Sequence, residues 1–142
     1  MRIRLLMLGK TRRPELRDVL NDYVKRISRY APVEVDEVRD SSAALKRLDS
    51  YPSTNIVLLD ADAKNFSSEA FAKWLGELRD RGVRELIFLC GDADGFPEAL
   101  RHRADQKLSL SSLTFSHELA RVMLAEQLYR AFAILSGSPY PK

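Results

Sequence analysis

The chain has 142 residues and a single cysteine, Cys90. No disulfide can form within it, and the thiol's place in an apolar run marks it as buried and inert, as in a cytoplasmic protein. Long apolar stretches are also missing. No window approaches the about 20 residues that a bilayer-spanning helix needs, so no membrane partner is expected. The opening Met1–Leu8 is too short an apolar run for a secretory leader. The dinucleotide fingerprint GxGxxG is absent, and Gly9-Lys10 lacks the upstream glycine of a phosphate loop. No internal repeat, low-complexity tract or flexible linker interrupts the chain. Strong charge of one sign is missing too: 23 basic residues against 20 acidic ones leave a net charge of +3. That is too little to hold a polyanion by itself.

What is present fits one globular domain over residues 1–142, with 45% hydrophobic and 30% charged residues. The charge is unevenly spread, at +4 over residues 1–50, −3 over 51–96 and +2 over 97–142. Any attraction to RNA would therefore come from the first helix and the C-terminal region, and on charge alone a mixed, solvated surface is the better reading. Apolar runs alternate with helical patterns. Ile3–Leu8, Val33–Val38, Ile56–Leu59, Leu86–Cys90 and Lys107–Leu110 read as strands. Helices are expected from Leu16 to Ile27, at Ala43–Leu48, from Phe71 to Leu78, near Pro97–Arg103 and from His117 to Leu135. This βα alternation predicts an α/β domain with a mostly parallel sheet flanked by helices. Ligands of such sheets bind beyond the carboxyl ends of the strands, where Gly9-Lys10, Asp60, Gly91–Gly95 and Ser111–Phe115 would gather.

Three segments carry chemistry. Gly91-Asp92-Ala93-Asp94-Gly95 follows a buried strand and allows backbone to approach a ligand closely, although a bare turn has the same composition. Leu108–His117 places hydroxyls and free N–H groups between a strand and a long helix. That suits a polar-edged ligand in an apolar pocket, or a helix cap at Thr114 or Ser116. The last helix is apolar on more than one face, which predicts more than one covering surface, a subunit contact among them. Within it Glu126 and Arg130 are spaced for a helical ion pair. Asp60 ends a third strand as a phospho-acceptor aspartate does in a signalling receiver domain. That reading needs an acidic pair where Met7–Lys10 stands and a lysine where Leu110-Ser111 stands, and both are missing.

The strings Ser112-Leu113-Thr114-Phe115-x-His117-x-x-x-Arg121-Val122 and Glu126-Gln127-Leu128-Tyr129-Arg130-Ala131-Phe132 resemble the ribosomal RNA large-subunit methyltransferase H family. These are small members of the SPOUT class. Gly91, Gly95, Tyr140, Met1–Lys10 and Leu58-Leu59-Asp60 extend the resemblance over essentially the whole chain. It implies a homodimer with a C-terminal trefoil knot, a feature that ordinary connection rules would exclude. It also implies S-adenosylmethionine as cofactor and methylation of N3 of a pseudouridine in helix 69 of 23S rRNA within the assembled ribosome, with no metal. By position the cofactor would be held by Leu59, Gly91, Leu110, Ser111, Ser112, Leu113, Thr114 and Phe115. Two departures stand out. Asp92 replaces a second glycine and puts a carboxylate near a cationic sulfonium, to be tolerated or attractive. Pro141 replaces a histidine, so proton handling by the tail is in doubt.

Methyl transfer needs alignment of donor and acceptor and removal of the N3 proton. His117, Asp92 and Glu126 are the candidate bases. Arg121 and Arg130 would hold phosphates or stabilise negative charge developing on the base. Tyr140 would stack on RNA or cover the dimer seam, and His117 is equally suited to packing at a helix start. The competing reading is a ribosome-binding protein that keeps the fold without catalysis.

Overall fold

The computed structural model describes residues 1–51 and 55–140. Five strands, β1 (Arg2–Leu8), β2 (Val33–Val38), β3 (Asn55–Leu59), β4 (Glu85–Cys90) and β5 (Gln106–Leu108), form one sheet in the order β2-β1-β4-β3-β5. Every neighbouring pair is parallel. β4 is central, and all six of its residues are buried, which explains why Leu86–Cys90 reads as an unbroken apolar run.

Four helices connect the strands, α1 (Pro14–Ile27), α2 (Ser41–Ser50), α3 (Ser68–Asp80) and α4 (Glu98–Arg101), and a fifth, α5 (His117–Leu135), follows β5. Alternate strand residues point to opposite faces, and each face has its own core. Leu5, Met7, Phe88 and Cys90 pack with residues of α1, α3 and α5, while Leu6, Leu8, Ile87 and Leu89 pack with residues of α2 and α4.

Several element boundaries differ from the sequence reading, with α1 starting at Pro14 and α3 at Ser68, and at three elements the structure shows the cause. α2 begins earlier than the apolar spacing indicates, because the Asp40 carboxylate accepts the Ala43 N–H at 2.9 Å and caps it. α4 is one turn long, with Pro97 at its N-cap. β5 stops at Leu108, because the Ser109 N–H donates to the Lys64 carbonyl at 3.2 Å instead of continuing the ladder with β3.

α5 packs against both α1 and α3. Its many-sided apolar pattern is therefore largely accounted for within one protomer. Leu119 and Ile134 on α5, with Val19 on α1 and the nearby Tyr30, remain as exposed large apolar residues.

Candidate cofactor and active site

The carboxyl ends of β3, β4 and β5 converge on one cavity of about 550 Å³, within the size range of small-molecule sites. Leu59 and Asp60 come from β3 and its end, Cys90 and Gly91 from β4 and its end, and Leu108 from β5. The loops after β4 and β5 complete the wall. Glycine is required at Gly95, where φ is +78°. Gly91 is needed for space. A Cβ there would stand 3.2 Å from two ring carbons of Phe96, which itself lines the cavity.

The loop after β5 is held in place by the loop after β3. Ser109 donates through its hydroxyl towards the Ala61 and Ser111 carbonyls, at 3.3 and 2.9 Å. Asn65 donates its amide to Ser112 Oγ at 2.7 Å. Ser111 Oγ accepts the Leu113 N–H at 3.0 Å. Ser116, one of the two cap candidates, caps α5 by accepting the Leu119 N–H.

One ion pair sits in the cavity wall. Asp60 Oδ2 lies 2.6 Å from Arg101 Nη2, and Asp60 Oδ1 accepts the Asp62 N–H at 3.0 Å. The Asp62 N–H, helped by the Arg101 guanidinium, holds the Asp60 carboxyl below its ordinary value. Burial pushes the Cys90 thiol up to about 12, which leaves it protonated and unreactive although it lines the cavity.

Of the residues expected to hold the cofactor, Leu59, Gly91, Leu110, Ser111, Leu113, Thr114 and Phe115 all line this cavity. Ser112 does not; its hydroxyl is taken by Asn65. The candidate bases His117 and Asp92 line it as well, and Glu126 does not.

Arg121 requires a correction. It is fully buried, and its guanidinium donates to Thr11 Oγ1 at 3.0 Å and to the Leu8 carbonyl at 2.6 Å. A side chain so enclosed reaches neither phosphate nor base; it ties α5 to the loop after β1. Glu118 makes the same link, accepting the Arg12 and Arg13 N–H groups at 3.0 Å each. The Arg13 N–H in particular lowers the Glu118 carboxyl from its ordinary value. The stabilisation this gives is present above the ordinary carboxylate range and is lost as pH falls through it.

Arg130 and Tyr140 form a separate cluster with Glu126, away from the cavity. Arg130 Nη2 and the Tyr140 hydroxyl donate to Glu126 Oε2 at 2.9 and 2.8 Å, and Tyr140 lies against Tyr129 with ring centroids 4.6 Å apart. Burial, then the Glu126 bond, raises the Tyr140 hydroxyl above its ordinary value. Pro141 and Lys142 lie outside the described residues. Sequence reasoning brought Asp60 to this edge but missed Phe96 and Arg101 as wall elements, and Thr11 and Glu118 as links. The capping preference of an acid in a first turn is the one signal that marked Glu118.

A parallel α/β sheet with a cavity beyond its strand ends, floored by loops that grip one another, defines an α/β protein with a small-molecule site at the carboxyl edge of its sheet. The family model described as predicted SPOUT methyltransferase matches residues 1–141. A ribosomal RNA large subunit methyltransferase H of Pelobacter propionicus is 41% identical over 151 residues, covering 99% of both chains. The protein of that name from Koribacter versatilis is 42% identical over 142 residues, covering 99% of this chain and 97% of its own. A solved structure of a probable methylase family protein from Haemophilus influenzae superposes with a TM-score of 0.56 at 12% identity. It covers 96% of this chain and 66% of that one, and shows the shared fold. The chain belongs to the ribosomal RNA large subunit methyltransferase H family of SPOUT methyltransferases.

Proposed function

We propose that this protein transfers a methyl group from S-adenosylmethionine to N3 of a pseudouridine in helix 69 of 23S rRNA, within the assembled ribosome in the cytoplasm. The cavity lined by Leu59, Gly91, Leu110, Ser111 and Leu113–Phe115, in a chain of this family, is the observation that carries the reading. The residues present fit the cofactor. Gly91 leaves room that a Cβ would fill, apolar Leu59, Leu110 and Phe115 offer a bed for a nucleoside, and hydroxyls of Ser111 and Thr114 offer polar contacts. When bound, S-adenosylmethionine supplies an electrophilic methyl on a sulfonium. The protein's part is to align the reactants and take up a proton. His117, which lines the cavity at the start of α5, would accept the N3 proton.

Residues 1–142 act as one SPOUT domain and, we infer, as a twofold dimer with a C-terminal trefoil knot. Membership of the SPOUT family supports the knot, and bonds from Ser109 to Lys64 and Ala61, and from Asn65 to Ser112, hold the chain entering α5 against the loop after β3. The exposed Val19, Tyr30, Leu119 and Ile134 support the dimer. Arg130 and Tyr140, which do not reach the cavity of their own protomer, would then serve the site of the second copy. Light scattering at micromolar concentration is expected to give twice the monomer mass; the 16.2 kDa monomer would rule the dimer out.

Mass analysis of nucleosides after incubating ribosomes with the protein and S-adenosylmethionine should show a methylated pseudouridine. Ribosomes that bind the protein and stay unmodified would favour the non-catalytic alternative. Isolated helix 69 hairpin should be a poor substrate, because a net charge of +3 gives little counterion release and selectivity must come from the shape of the particle. The exposed Arg12 and Arg13 begin at backbone held by Glu118, the residue next to His117. Arg12→Ala with Arg13→Ala should weaken ribosome binding several-fold and flatten its salt dependence by about 2 in slope, leaving cofactor affinity alone. An unchanged salt response would put the RNA elsewhere.

A further inference from the structure

We propose that Asp92 lets this protein tell the positively charged methyl donor from its neutral demethylated product. The inference rests on the cofactor reading above and deepens it. Four residues lining the cavity have ionisable side chains that bear on its charge: Asp60, Asp92, Arg101 and His117. Asp60 and Arg101 neutralise each other at 2.6 Å. With His117 neutral, Asp92 leaves the wall with one uncompensated negative charge, since no described cation lies within ion-pair distance of it.

The side chain is also held in place. Its Oδ1 accepts the Asp94 N–H at 2.9 Å, and its own carbonyl accepts the Gly95 N–H at 3.2 Å. The carboxylate is thus fixed on a turn whose first residue, Gly91, adjoins the buried end of β4. One oxygen is engaged with backbone, and the other, on an exposed side chain at the cavity wall, has no protein partner among the described residues.

S-adenosylmethionine carries a sulfonium and an ammonium against one carboxylate, for a net charge of about +1. Departure of the methyl turns the sulfonium into a neutral thioether, and S-adenosylhomocysteine carries no net charge. A wall with one extra negative charge favours the first over the second by Coulomb attraction, and the preference vanishes as the reaction completes. Asp92 would therefore let the donor compete better against the product for the cavity and limit product inhibition.

Calorimetry on the full-length protein with S-adenosylmethionine, S-adenosylhomocysteine and sinefungin provides the test. Sinefungin carries an amine in place of the sulfonium and is also a cation. Asp92→Asn keeps the oxygen that accepts the Asp94 N–H and removes the charge. The expected result is a fall of about fivefold in the preference for the two cations over S-adenosylhomocysteine, the factor that a screened unit-charge attraction of about 1 kcal/mol provides. The loss should fall on the cations, and added salt should narrow the wild-type preference. Equal losses for all three ligands, or an unchanged preference, would overturn the role of Asp92. If the wild-type protein binds none of the three, the cofactor reading itself fails, and this one with it.

Discussion

Gly91→Val should lose at least about tenfold in affinity for S-adenosylmethionine, equivalent to about 1.4 kcal/mol or more. Even the Cβ of the new residue would stand 3.2 Å from Cε2 and Cζ of Phe96, and valine adds two methyl groups beyond it. Gly91 adopts no unusual φ, so the effect is one of space and not of backbone strain. The obstacle is the ring that forms one wall of the cavity, and displacing it narrows the space left for a ligand. Overpacking of this kind costs about 1–3 kcal/mol. Gly91→Ala, with less to accommodate, should fall between the two. Calorimetry measures the affinity and urea unfolding separates it from stability. A valine variant that binds like wild type would remove Gly91 from the site.

Arg121→Ala should lower the free energy of unfolding by about 3 kcal/mol, read as a lower urea midpoint with little change in slope. Truncation takes two bonds from the junction of β1 and α5, to Thr11 Oγ1 and to the Leu8 carbonyl, and leaves a void where a wholly buried side chain stood. Thr11 is itself fully buried, so no solvent is at hand to replace the lost donor. Arg121→Lys should rescue little, because one ammonium does not span two acceptors in the geometry of a guanidinium fork. The Arg121 Nε atom has no partner among the described residues, which limits what the side chain contributes. A fully stable Arg121→Ala protein with abolished RNA methylation would return Arg121 to the reaction and contradict its burial.

These two residues show how differently local and distant information enters the site. Gly91 was legible because an apolar run that ends in glycine marks a strand end, and strand ends of parallel sheets are where ligands bind. The same logic located Asp60 and the Ser111–Phe115 run at the ends of β3 and β5, while Leu59 and Leu110 followed from the family resemblance. Arg121 was misjudged for a converse reason. In a helix pattern an arginine followed by Val-Met-Leu reads as polar, and helix periodicity gives no account of an acceptor more than a hundred residues away. Leu8 and Thr11 are such acceptors, and only the packing of α5 on α1 and on the end of β1 brings them within reach.

The sequence by itself determined the five strands, the five helices and their alternation, and through that the parallel sheet and the edge where the cavity lies. Those features depend on short-range periodicity and on glycine and proline stops, which each segment carries independently. Only the tertiary structure decided the strand order β2-β1-β4-β3-β5, the Asp60–Arg101 pair in the cavity wall, and the separation of Arg130 and Tyr140 from that cavity. It also showed that α1 and α3 cover most of the apolar surface of α5, which from the sequence alone called for a partner. Each of these is a contact between segments far apart in the chain. Such contacts are selected by the burial of all the apolar faces at once, a global condition that no single window of residues contains.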